Sequence, residues 1–249
     1  MAQEATERTA LVRLPGSPES LSITYRLVRR NRRTIGLKIN EHGLTISASS
    51  RVSISEVEEV IEKHILWILR KAEERKEREK KAQVDFREGG LLPYRGRKVR
   101  IALNPAATSP RLREEAPGSF ALVLPLPKDA AESEIKAAAG AWLIAEALRV
   151  LPERLHWMEL FAPEPSTGFV LTGARTFWGK CHRSGLIRLN WRLIFFENDV
   201  IDYVAAHELA HLVEMNHSPA FWATVELIKP NYEKALAVLK QTGMTGLPF

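Results

Sequence analysis

The sequence predicts an α+β chain: a strand-rich N-terminal part, then a helical part with a small sheet and a His-Glu-x-x-His helix. Three observations carry this. Polar and apolar residues alternate through residues 21–49, the two-residue period of half-buried strands. From residue 132 onward, apolar residues recur at helical spacing. Three of the seven histidines, His207, His211 and His217, fall within eleven residues. The 249 residues suffice for one large domain or two small ones, with a core that needs no disulfide. With 45% hydrophobic and 27% charged residues, the chain is neither wholly disordered nor fibrous. Its single cysteine, Cys181, excludes an intrachain disulfide and a multi-cysteine zinc site.

Residues 1–20 are polar, with Pro15 and Pro18, and are expected to form a mobile leader. Their start contains Glu4, Glu7 and Arg8 and no long apolar core, so it is not a secretory signal. Residues 22–28, 34–39 and 44–48 read as strands of a small antiparallel sheet, with a turn at Asn40-Glu41-His42-Gly43. Ser53 or Ser55 can cap a helix whose apolar positions include Val57, Ile61, Ile65 and Ile68. That helix runs into residues 71–81, where both charge signs mix at i,i+4 spacing, a solvated face rather than a nucleic-acid arm.

Residues 86–103 read as two strands around Gly89-Gly90 and Tyr94-Arg95-Gly96, and residues 120–124 as another. A long helix runs from residue 132 to about residue 160, and Pro152 is expected to kink or divide it. Residues 169–171 and 186–190 are strand-like, separated by a segment holding Trp178-Gly179-Lys180-Cys181. No internal repeat is evident. A boundary is expected near residues 83–86 or 128–132. The division adopted is 21–130 for the strand-rich part with its one long helix, 131–240 for the helical part that holds the three histidines and 241–249 for a tail.

Charge and hydropathy bound the partners. Lys+Arg is 36 and Asp+Glu is 30, a net +6 that tolerates an anionic partner without demanding one. No apolar run approaches the roughly 18 residues of a spanning helix, so no membrane partner is expected. The missing signal and the lone cysteine point to the cytoplasm.

Residues 199–215 form the helix that carries chemistry, capped by Asn198 or Asp199. At about 100° per residue, His207 and His211 lie one turn apart on one face, where two imidazoles can share a metal ion. Glu208 sits beside that face, where a carboxylate can take a proton from water. Apolar residues cover most of the remaining circumference, so the helix should be buried. Two histidines and a glutamate inside it need partners, and a divalent metal serves all three. Asn216 suits a left-handed helix cap, and Ser218-Pro219 the start of a new helix. His217, in the turn between, can swing back as a third ligand. Three protein ligands with an open fourth position describe a catalytic zinc. Glu226 and Glu233 are rival third ligands, and the bland alternative is histidines hydrogen-bonded in an ordinary core.

Four segments, residues 178–181, 187–193, 204–211 and 216–222, resemble the YgjP-like metal-dependent hydrolases, a zincin-type group related to SprT-like and WLM proteases. Residues 29–49, Trp67-Ile68 and residues 91–96 are similar too, so the resemblance covers roughly residues 20–240. It implies a zincin-like catalytic domain, Zn2+ on His207, His211 and His217, and Glu208 as general base of a metallopeptidase. Lys180 departs from the serine usual between that glycine and cysteine. Glu214 stands where the metzincin motif has glycine, so the turn is expected later, at Asn216. In zincins the strand before the metal helix pairs with extended peptide, which makes residues 186–190 the expected substrate cradle. Arg188, Asn190 and Trp178 are candidates to bind substrate, and Glu214 or Asp202 to support the histidines. The plainer readings are an exposed strand residue for Arg188, core or pocket wall for Trp178, a surface residue for Glu214 and a structural thiol for Cys181. A peptide or protein substrate leads. A pyrophosphatase activity attributed within the family makes a nucleoside triphosphate the alternative substrate. The relatives' link to DNA–protein crosslinks, with the basic balance, makes a non-enzymatic nucleic-acid-associated module the third reading.

Overall fold

The computed structural model describes residues 5–16, 18–40 and 43–249. The chain divides into two compact units, Met1–Lys81 and Ala82–Phe249. This division adjoins the first of the two expected boundaries. The strands of residues 91–124 therefore belong with the later helices, whereas a boundary at residue 130 would part them.

The first unit opens with β1 (Ala5–Arg13), β2 (Ser20–Arg29), β3 (Gly36–Asn40) and β4 (Gly43–Ala48), in the order β1-β2-β4-β3. The residues expected as a mobile leader thus hold a strand. β1 pairs with β2 from Ala5↔Val28 to Arg13↔Ser20, and its Ala10 and Val12 are buried. The sheet is mixed rather than antiparallel, because β3 folds back on β4 as the outer strand and leaves β4 parallel to β2. Of the expected turn at residues 40–43, Glu41 and His42 lie outside the described residues.

Ser53 caps α1 (Ile54–Lys63) in a reciprocal box. Its Oγ accepts from the Glu56 N–H, while the Glu56 carboxylate accepts from the Ser53 N–H at 2.7 Å. The single helix expected here breaks at His64, the C-cap of α1, and α2 (Ile65–Ala82) follows. Val57, Ile61, Ile65 and Ile68 share one core with Tyr25, Leu27 and Ile46.

The second unit begins with β5 (Leu91–Tyr94), β6 (Arg97–Leu103), β7 (Arg111–Ala116) and β8 (Ser119–Leu124), ordered β5-β6-β8-β7. Order and pairing sense repeat those of the first sheet: two outer antiparallel hairpins joined by a parallel central pair. The sequence shows no such repeat, so the likeness is one of topology. Arg95 and Gly96 both have positive φ, 48° and 74°, as the two central residues of a tight hairpin turn require. α3 (Glu132–Glu159) continues through Pro152, so the expected division does not occur.

A third sheet holds β9 (Gly168–Thr172), β10 (Gly179–Cys181) and β11 (Leu186–Asn190) in the order β10-β11-β9. Then come α4 (Asn198–Val213), α5 (Pro219–Ile228) and α6 (Glu233–Thr242). A two-pronged ion pair ties α3 to α4, with Arg154 Nε donating to Asp202 Oδ1 at 2.7 Å. Asp202 is therefore engaged by Arg154 rather than by a histidine. No described helix is long and apolar enough to cross a membrane.

Candidate metal centre

α4 is buried on most sides, as its apolar circumference predicts. It ends at Val213, and Glu214 leaves the helix in extended conformation with its N–H on the Ala210 carbonyl. The left-handed cap expected at Asn216 does not form. Asn216 instead donates its side-chain amide to Glu214 Oε1 at 2.6 Å. Ser218 then caps α5, its Oγ accepting from the Phe221 N–H, with Pro219 in the first turn. These two stops leave His217 in the turn between the helices.

The turn brings His217 back over α4. One donor nitrogen from each of His207, His211 and His217 lies within 4.8 Å of the others, and Nε2 of His207 and Nε2 of His217 are 3.2 Å apart. Fully buried Phe221 packs on all three rings, at centroid distances of 4.9, 4.5 and 4.7 Å. Burial pulls His207 down to about 4, helped by the neighbouring imidazoles of His211 and His217. Burial also lowers His211, against the opposing pull of its bond to Glu214. Both rings are therefore neutral at neutral pH, as metal ligands must be.

The donor set fits a divalent cation. His211 Nδ1 lies 3.1 Å from the Glu214 carbonyl, which can only accept, so the proton sits on Nδ1 and Nε2 keeps its lone pair. The contact from Glu214 to His211 is made by its backbone carbonyl, while its carboxylate accepts from the Asn216 side-chain amide. Two nitrogens 3.2 Å apart match the spacing of about 3.3 Å set by zinc–nitrogen bonds of about 2.0–2.1 Å at tetrahedral angles. His207 Nδ1 is buried with no hydrogen-bond partner among the described residues.

Glu208 is 5% exposed, and burial pushes its carboxyl up to about 8, partly offset by the backbone N–H of Cys181. β10 lies against it. A Cβ on Gly179 would sit 2.6 Å from Glu208 Cγ and 2.8 Å from Cδ, with Oε1 closer still. Gly179 therefore leaves the space that the glutamate fills, and Cys181 supplies its hydrogen bond. Lys180 is exposed between them and by strand alternation faces the other way. The departure at that position does not touch Glu208. The role of Gly179 was open to a reading of glycine inside a strand as a point of close approach. Beside His207 and Glu208 is a cavity of about 270 Å³, which Trp178 helps to line. Tyr203, one turn before His207, lines it too and carried no recognisable signal in the sequence.

Other candidates fall elsewhere. Asn190 is fully buried, its Nδ2 donating to the Ala174 and Phe177 carbonyls and its Oδ1 accepting from the Arg192 N–H. It secures a turn, with both amide hydrogens used and no surface open to substrate. Arg188 is exposed, pairs across from Lys180, and alternates with the buried Ile187 and Leu189, so it faces away from α4. β11 is paired on both sides, so among the described residues the free sheet edge next to Glu208 belongs to β10. Glu226 accepts from the Asn231 N–H and Glu233 opens α6, and neither joins the cluster. A larger cleft of about 960 Å³, between Arg97, Trp142 and Asn198, contains none of the candidate site residues.

A family model described as YgjP-like, metallopeptidase domain, matches residues 33–242. A comparison with curated proteins gives no match. Among solved structures, that of the metallopeptidase zymogen of Pyrococcus abyssi abylysin is similar over 37% of this chain and 94% of that chain, at 19% identity and a TM-score of 0.34.

Proposed function

Because the chain belongs to the YgjP-like metallopeptidase family, we propose that it is a zinc-dependent peptidase in which His207, His211 and His217 hold the ion and Glu208 is the general base. The observation that carries this reading is the convergence of three imidazoles beside a buried glutamate that stands outside their cluster. Bound there, zinc would bring the pKa of water toward neutrality and polarise the scissile carbonyl.

The chain's own groups do the rest. Glu208 accepts the proton of the attacking water and delivers it to the leaving amine. Its burial favours the protonated form, which suits the second half of that task. The Cys181 N–H and the bare Cα of Gly179 keep the carboxylate in one place. The Glu214 carbonyl orients His211, and Phe221 backs all three rings with apolar surface. An extended substrate pairs with the outer edge of β10. Among the described residues, the adjoining cavity has Lys240 as its one lysine or arginine, with Glu208 and mostly apolar side chains around it, which supports a peptide over a triphosphate.

The test is a peptide-library screen on zinc-loaded protein beside Glu208→Gln. Wild type should cleave, and the variant should lose about 100- to 10,000-fold while keeping its zinc. Zinc-loaded wild type that cuts no peptide would overturn the peptidase reading.

A further inference from the structure

Resting on that peptidase reading, we propose that the cavity beside Glu208 is a side-chain subsite that takes one large apolar residue of the substrate flanking the scissile bond. Its walls are Tyr203 and Val204 on α4, Leu236 and Leu239 on α6, and Trp178 before β10, with Lys240 completing the lining. His207 and Glu208 line the same space. Tyr203 precedes His207 by one turn and Val204 precedes Glu208 by one turn. Cavity and candidate catalytic groups therefore share one face of α4. A side chain seated in the cavity places its own backbone beside Glu208.

Size and chemistry set the choice of occupant. About 270 Å³ holds roughly nine waters at about 30 Å³ each, which suits one large side chain and not a length of peptide. Tyr203, Val204 and Leu239 are at most 6% exposed, so these walls are packed from behind. Tyr203 stacks on Tyr232, which stacks on Trp222, at centroid distances of 5.7 and 5.5 Å. That brace resists collapse of the cavity when it is empty. Lys240 is exposed and carries no ion pair among the described residues, so its ammonium disfavours lysine or arginine at this position. The subsite therefore selects leucine, methionine or phenylalanine over small residues and over basic ones.

Half-buried Leu236 is the wall residue most open to change. Leu236→Trp narrows the cavity and Leu236→Ala enlarges it. Wild type, given an unbiased peptide mixture and read by mass spectrometry, should favour large apolar over small residues at one flanking position by at least about tenfold. Leu236→Trp should shift that position to alanine and glycine, and Leu236→Ala should admit tryptophan. Identical flanking profiles in all three proteins would overturn the subsite. A second readout needs no turnover: ligand-observed NMR with N-acetyl-phenylalanine amide. Saturation transfer is expected with wild type and not with Leu236→Trp, while N-acetyl-glycine amide gives none with either. No transfer with wild type would overturn the subsite. Transfer lost in Leu236→Trp, with no peptide cut by either protein, would strike the peptidase reading and leave the subsite standing.

Discussion

Replacing Gly179 by alanine isolates the placement of Glu208, the proposed general base. The backbone at Gly179 lies outside the left-handed region, so alanine adopts it without strain and the whole cost is steric. The added methyl would sit 2.6 Å from Glu208 Cγ, where ordinary contact begins at 3.4 Å. Glu208 must therefore recede by about 0.8 Å, toward the adjoining cavity and away from its bond to Cys181. A misplacement of about 1 Å costs on the order of 100-fold in rate. At about 1.4 kcal/mol per tenfold, that is about 2.8 kcal/mol of transition-state stabilisation. The assay is kcat/KM on a cleaved peptide, with zinc content and thermal midpoint measured on the same samples. A 100-fold loss with zinc and midpoint held is expected. Gly179→Ala with full activity would refute the steric argument and with it the role given to β10.

Four further outcomes follow from the same geometry. Phe221→Ala opens a cavity under the three rings and should cost about 3–5 kcal/mol in urea unfolding, with zinc affinity falling alongside; a cost under about 1 kcal/mol would contradict its place in the core. Glu214→Ala should leave zinc affinity within about threefold, since His211 uses the backbone carbonyl; a drop of about 10- to 100-fold in competition titrations would restore a role for the carboxylate. Asp202→Ala removes the partner of a mostly buried arginine and should cost about 3 kcal/mol of stability without changing zinc stoichiometry; loss of zinc would show that Asp202 serves the site. Burial pushes the Glu146 carboxyl up, but its bonds to Arg149 and Tyr94 outweigh this and hold it below 4.5. That contribution is complete above the ordinary carboxylate value and disappears as pH falls through the lowered one. Glu146→Gln should therefore flatten the acid side of the melting profile, and a profile parallel to wild type below pH 5 would oppose this.

What was legible in the sequence was local. The spacing of His207 and His211 is a property of one helix, and the placing of His217 follows from Ser218 and Pro219 next to it. The cap of α1 at Ser53 and the strands at residues 22–28 and 120–124 were legible for the same reason. What was missed depends on partners remote in sequence. β1 becomes a strand by pairing with β2, and β7 is a charged outer strand with no inward alternation to betray it. Arg188 and Asn190 look alike on a strand read alone. Only the sheet shows that one faces away from α4 and the other spends its amide on a buried turn. Gly179 and Glu208 lie 29 residues apart, and nothing local to either announces their contact.

The proposed centre would hold one ion with three imidazole nitrogens and no sulfur. X-ray absorption at the zinc edge on the loaded protein reads this directly. The expected spectrum shows three imidazole nitrogens and one further light atom at about 2.0–2.1 Å. A sulfur shell at about 2.3 Å, placing Cys181 on the metal, or fewer than three imidazoles, would contradict it.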